Sequence, residues 1–241
     1  MKPTSRRDFV FASSGALAGS LLIPGAEAAE QDTASLYAGS GLITGTPKPV
    51  RHQEIPGFLS AAQVAPHHTA HYGGALKAFV GIEQQFEEQF AKTKTIDAAA
   101  FEMLQRQKAS RGNSVILHEL YFDGLALKAT DPAPDIRKAI GKRFGSMDNW
   151  ASDFIASAKS AAGWAILVLH PINRKLYNLV SDEHAQGPLW MSVPLVVLDT
   201  YEHAFYIDYQ HRKADYIEKF LQFIDWTEAN RRFQLAASGA K

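Results

Sequence analysis

In the stretch Asp199-Thr200-Tyr201-Glu202-His203-Ala204-Phe205-Tyr206 a carboxylate and an imidazole stand four residues apart, with a second acid between them. Carboxylate oxygen and imidazole nitrogen are both metal donors, so this spacing can offer two ligands to one ion. The apolar run before it, Pro194-Leu195-Val196-Val197-Leu198, reads as a buried strand. Asp199 then falls where the strand ends, and Glu202 and His203 fall in a turn or a first helical turn. Donors at a strand end are held rigidly, as a metal centre requires. The same residues also suit an ordinary strand-to-helix junction capped by Asp199.

Other histidines stand at informative spacings. In Pro66-His67-His68-Thr69-Ala70-His71-Tyr72, His67 and His71 are four apart and share one helix face, with His68 about 100° away. That face is either a donor surface or a polar helix exterior. His118 lies among Ser114, Val115, Tyr121 and Phe122 on an apolar helix face. A lone histidine there is either a core histidine or a buried ligand. His184 sits in a loop, fifteen residues before Asp199. Cysteine is absent, so there is no disulfide and no thiolate. Any metal must be held by His, Asp or Glu. Such nitrogen and oxygen donors suit iron or manganese, and zinc as well.

These residues need elements to bring them together. A helical pattern starts near Ser60 and continues to about Lys92, and a second opens at Thr95-Ile96-Asp97 and runs toward Leu127. Two long helices with a short connection form an antiparallel hairpin, which can set His67 beside His118. Ala129-Thr130-Asp131-Pro132-Ala133-Pro134 ends the second helix and marks a domain boundary. Beyond it, helices start at Pro134 and Met147, with Asp148 a cap or first-turn acid. Strands are expected over 164–169, 176–180 and 194–198, with Pro171-Ile172-Asn173-Arg174 as a hairpin turn. Helices over 214–224 and 226–233 close the chain. The fold class is α+β: a helical hairpin domain over 58–130, then a domain over 134–241 with a three-stranded antiparallel sheet and helices.

The first 28 residues are a targeting segment. Ser5-Arg6-Arg7-Asp8-Phe9-Val10 is a twin-arginine pattern, an apolar small-residue stretch follows over 11–24, and Ala26-Glu27-Ala28 is a cleavage site. The apolar part is too short and too rich in Gly, Ser and Ala to span a bilayer. The expectation is export by the twin-arginine route to the periplasm or beyond, with no membrane contact in the mature form. Residues 29–57, rich in Gly, Thr, Ser and Pro, read as an extended leader. The whole chain is 46% hydrophobic and 21% charged, with zero formal net charge. A sizeable core can form, and nothing argues for nucleic acid as a partner.

The run Gly163-Trp164-Ala165, the Asp199 to Tyr206 stretch, Asp215-Tyr216-Ile217 and Asp225-Trp226 together resemble the iron/manganese superoxide dismutase family, whose signature at this place is Asp-x-Trp-Glu-His-Ala-Tyr-Tyr. The resemblance runs from about His67 to Phe233. It implies four metal ligands, His67, His118, Asp199 and His203, around one iron or manganese ion per chain. It implies superoxide as substrate, converted to dioxygen and hydrogen peroxide. His184 matches the position of a residue that reaches the metal's solvent. His71 matches a histidine beside the site at the subunit boundary. Tyr121 and Phe122 would wall the pocket, with Trp164 and Tyr201 near it. Glu202 and Tyr206 match residues that cross a homodimer interface, Tyr206 toward the partner's equivalent of His71.

Several positions depart from the family. The tyrosine it places eight residues after the first ligand is Ala75 here. Tyr72 is no simple substitute, since its helical phase differs by about 60°. The signature tryptophan is Tyr201, and the second tryptophan of Gly-Trp-x-Trp is Ile166. The four ligand positions are intact. The alternative reading is therefore a dismutase-like metal-binding dimer with little turnover. A zinc hydrolase using the same ligands lacks an extra general base.

Overall fold

The structure, a computed structural model, describes residues 37, 39–92, 97–187 and 189–238. The twin-arginine pattern, the cleavage site and Thr95-Ile96 lie outside the described residues.

Ser60 opens the first helical run, its Oγ accepting from the Gln63 amide. The run comprises α1 (Ala61–Pro66), a π-helical turn (His67–Tyr72) and α2 (Gly73–Lys92). Pro66 supplies the reason for the π turn. It has no N–H for the i−4 carbonyl, so the ladder breaks there and resumes with wider spacing, Gly73 N donating to His68 O. α3 (Ala98–Asp123) packs against α2. Phe79 lies so close to Gly112 that a Cβ there would meet its ring at 3.0 Å. Lys108 pairs with Glu83 at 2.6 Å.

α4 (Pro134–Phe144) starts with proline at a position that needs no N–H. α5 (Met147–Ser160) is capped by Ser146, whose Oγ accepts from the Asn149 amide, so Asp148 is a first-turn acid. The sheet has three antiparallel strands, β1 (Trp164–His170), β2 (Lys175–Ser181) and β3 (Val193–Asp199), in the order β2-β1-β3. The central β1 is buried from Trp164 to Leu169, hence its unbroken apolar sequence. Pro194 is tolerated because β3 is an edge strand, and the register slips beside it, leaving Leu195 bulged opposite Leu167 and Val168.

α6 (Lys213–Phe220) is shorter than the 214–224 expected. The chain leaves the helix to pair with the segment after α3: Ala126 N donates to Phe223 O and Asp225 N to Gly124 O. α7 (Trp226–Ser238) runs past Phe233. The core lies between the sheet and these helices, with Trp150, Phe154, Tyr216 and Phe220 among its buried side chains.

Part of the expected leader is folded. Gly41–Thr44 is one helical turn capped by Ser40, and Ile55 bridges to Leu59. Ser40, Gly41 and Ile55 are buried. No helix among the described residues is long and apolar enough to cross a membrane.

Candidate metal centre

One end of the sheet collects the chemistry. Antiparallel pairing sets Trp164, the first residue of β1, opposite both Ser181 and Asp199, the last residues of β2 and β3. His184 follows Ser181 in the next loop. Gly163, just before β1, packs against the backbone so closely that a Cβ would lie 2.5 Å from Ser181 O, and its carbonyl accepts from Thr200 N. A single 3₁₀ turn, Glu202–Ala204, then returns His203 over the strand end. The π turn brings His67 and α3 brings His118 to the same point.

Donor atoms of His67, His118, Asp199 and His203 all lie within 4.8 Å of one another. Asp199 is fully buried, His67 and His118 nearly so. Oδ2 of Asp199 lies 3.1 Å from Nε2 of His67, 3.2 Å from Nε2 of His203 and 3.6 Å from Nε2 of His118. Its Oδ1 accepts from the Tyr201 amide at 2.9 Å, so the turn-capping role and the donor role use different oxygens of one carboxylate.

His118 settles what the cluster can hold. Its Nδ1 donates to the Ser114 carbonyl at 2.7 Å, one turn back in α3. A carbonyl only accepts, so the proton sits on Nδ1. Burial holds the imidazole neutral, its pKa lowered to about 3, against the pull of Asp199. Nε2 is therefore a bare lone pair, buried and without a hydrogen-bond partner among the described residues. It faces a carboxylate oxygen. For Asp199 itself, burial pushes the pKa up, but hydrogen bonds from His203 and His67 overrule it and keep the carboxyl ionised. An ionised oxygen and a bare imidazole nitrogen repel unless a cation lies between them. Three imidazoles and one carboxylate, without sulfur, fit iron or manganese.

The surroundings fix these groups. Tyr216 donates to the Asp199 carbonyl at 2.9 Å and accepts from Tyr121 at 3.0 Å. Tyr121 and Phe122 rings lie 5.3 and 4.9 Å from the His67 ring, making the expected apolar wall. His203 is sandwiched: His71 stacks on it at 3.8 Å and Tyr201 at 5.1 Å. Burial and the neighbouring His203 lower the pKa of His71 to about 4. Trp164 Nε1 donates to Nδ1 of His184 at 3.0 Å, so Nε2 of a neutral His184 carries the proton. The His184 ring lies 6.2 Å from His118 and 5.2 Å from Tyr201.

Not every residue singled out in the sequence joins the cluster. Glu202 and Tyr206 are exposed, beside a cavity of about 670 Å³ also lined by Thr200, His203, Gln210 and Lys213. Ala75 is buried in the core and Ile166 within β1. Tyr72 turns inward, its hydroxyl bonded to Glu119 and Lys48. Sequence reasoning missed Gln63, which is fully buried: its Nε2 donates to His203 O at 2.7 Å and its Oε1 accepts from Ile207 N at 3.0 Å. It also missed Glu119 and Arg232, whose partners are distant in the chain. An acid directly after a helical histidine in an apolar run was the available signal for Glu119.

Residues 132–232 match the family model described as iron/manganese superoxide dismutases, C-terminal domain. The chain is 30% identical over 191 residues to a manganese superoxide dismutase of Haloferax volcanii, covering 79% of this chain and 94% of that protein. It is 32% identical over 191 residues to an iron superoxide dismutase of Aquifex aeolicus, covering 78% and 89%. It is 34% identical over 182 residues to an iron superoxide dismutase of Cupriavidus metallidurans, covering 74% and 90%. With this likeness along most of its length, the chain belongs to the iron/manganese superoxide dismutase family.

Proposed function

We propose that this protein is a superoxide dismutase, converting superoxide to dioxygen and hydrogen peroxide, with His67, His118, Asp199 and His203 holding one iron or manganese ion per chain. The observation that carries this reading is the bare, buried Nε2 of His118 facing Oδ2 of Asp199 at 3.6 Å in a sulfur-free donor set. When bound, the metal supplies a one-electron couple that oxidises one superoxide and reduces the next.

The chain's own residues position and donate. Ser114 and Gln63 fix the His118 ring and the His203 backbone. Tyr216 and the Tyr201 amide hold Asp199 from two sides. The second half-reaction takes up two protons, and His184 keeps an N–H at Nε2 available to donate, with Trp164 fixing that tautomer. His71 and Tyr201 clamp His203 between their rings.

The N-terminal helices act as a long antiparallel hairpin, a reading supported by the packing of Phe79 on Gly112 and of Glu83 on Lys108. The functional unit is a homodimer. Supporting this, His71, Glu202, Tyr206 and Ile207 are exposed in the single chain around the metal cluster. The twin-arginine pattern in residues 1–28 supports export to the periplasm.

Elemental analysis with superoxide turnover per bound metal tests the proposal. The expected result is one iron or manganese per chain and turnover proportional to metal content. Stoichiometric zinc, or full metal occupancy with negligible turnover, overturns it.

A further inference from the structure

Between the helical turn Gly41–Thr44 and Lys48, the chain crosses both ligand-bearing helices at the level of the ligands. The Gly41 amide donates to Oε1 of Glu119 at 2.8 Å, and Glu119 directly follows His118. The Lys48 amide donates to the Tyr72 hydroxyl at 2.7 Å, and that hydroxyl donates to the same Oε1 at 2.8 Å. One hydroxyl and one carboxylate oxygen therefore join three segments: residues 40–48, the π turn of His67 and α3. Two further bonds repeat the pattern. Nε2 of His68 donates to Lys48 O at 2.8 Å, and Lys48 Nζ reaches Asp123 at 2.6 Å.

These groups are buried, Tyr72 to 1% exposure and Glu119 to 8%. Burying a carboxylate and a hydroxyl is costly unless both are hydrogen-bonded, and here both are. The fit is close on the segment's own side as well. A Cβ on Gly41 would lie 2.7 Å from Leu76 Cδ2 and 3.0 Å from the Tyr72 hydroxyl, so a larger residue would have to displace them. The bonds also land where the helix is least fixed by itself. Residues 67–72 form a π turn, a rare departure from the α ladder, and His68 and Tyr72 of that turn are tied to residues 40–48.

We infer that residues 40–48 are a strap that locks the two ligand-bearing helices together beside His67 and His118, with Glu119 and Tyr72 as positioning residues for metal retention. The inference rests on reading His67 and His118 as ligands. Tyr72→Phe removes the donor to Glu119 and the acceptor for Lys48. Glu119→Ala removes the acceptor shared by Gly41 and Tyr72. Glu119→Gln keeps an oxygen there. Gly41→Ala presses the strap against Leu76 and the Tyr72 hydroxyl while every residue of both helices is kept.

The test is the rate at which EDTA strips manganese from the loaded full-length protein, with the manganese electron paramagnetic resonance spectrum recorded beside it. Glu119→Ala, Tyr72→Phe and Gly41→Ala should each speed metal loss roughly 10-fold or more and alter the spectrum. Glu119→Gln should stay near the parent protein in both. Unchanged loss rate and spectrum in Tyr72→Phe and Gly41→Ala, with only a lower melting temperature, overturn the inference, even where Glu119→Ala fails to fold. His118→Ala separates the two levels. If it keeps manganese, the ligand reading fails. If it loses manganese while the strap variants hold theirs, the strap alone fails.

Discussion

Nε2 of His118 and Oδ2 of Asp199 face each other at 3.6 Å as two acceptors, buried and with no proton between them. The Ser114 carbonyl creates this arrangement by claiming the only proton of a neutral imidazole. His118→Ala should therefore weaken iron or manganese binding by more than the roughly 10–100-fold expected for loss of an outer partner. Metal content after dialysis, measured by elemental analysis, checks it. A variant that kept full occupancy would remove His118 from the donor set.

On the proposed reading His184 serves proton delivery; its ring lies 6.2 Å from that of His118, and Trp164 sets its tautomer. His184→Ala should lower turnover roughly 10–100-fold while metal content stays the same. Trp164→Phe frees Nδ1 to carry the proton and should lower turnover with a changed pH profile. Steady-state assays normalised to bound metal read both. Parent-like turnover in His184→Ala would leave the imidazole without a role.

Arg232 is buried to 1% and reaches the Leu195 carbonyl in β3 and the Leu120 carbonyl in α3, tying together the elements that carry Asp199 and His118. Its counter-charge is Glu228, at 2.9 Å. Glu228→Gln leaves that guanidinium uncompensated and should destabilise the fold by about 3 kcal/mol. Burial raises the Glu228 pKa, but Arg231 and Arg232 outweigh it, so the folded value lies below the ordinary 4.5. A depressed folded pKa stabilises fully above the unfolded value. That stabilisation disappears as pH falls from 4.5 through the folded value. Urea melts of the metal-free proteins should show this acid-side slope reduced in Glu228→Gln.

Ala75 stands where the family resemblance puts a tyrosine, and it is 4% exposed within the core. Ala75→Tyr overpacks that place and should cost about 1–3 kcal/mol without raising turnover. Calorimetry and a superoxide assay decide it. Increased turnover at an unchanged melting temperature would show room for a tyrosine that the packing does not indicate.

The sequence by itself determined the family signature, the candidate donor residues and the α+β order of elements. It did so because apolar runs and helical periodicity are local, and because the signature keeps Asp199 and His203 within one turn of chain. The strand expectations of 164–169, 176–180 and 194–198 differ from the observed strands by a residue at each altered end, since a buried central strand has no polar interruption to misplace. Tertiary structure decided the rest. The π turn at His67 follows from Pro66, yet the ties that hold it come from residues 40–48, in a stretch whose Gly and Pro content reads as unstructured leader. The early end of α6 depends on backbone pairing with residues 124–126, about a hundred positions away. Gln63 and Arg232 were invisible for the same reason, and Glu119 showed only as an acid beside a helical histidine. A polar side chain in an apolar stretch declares nothing until the fold supplies its partners.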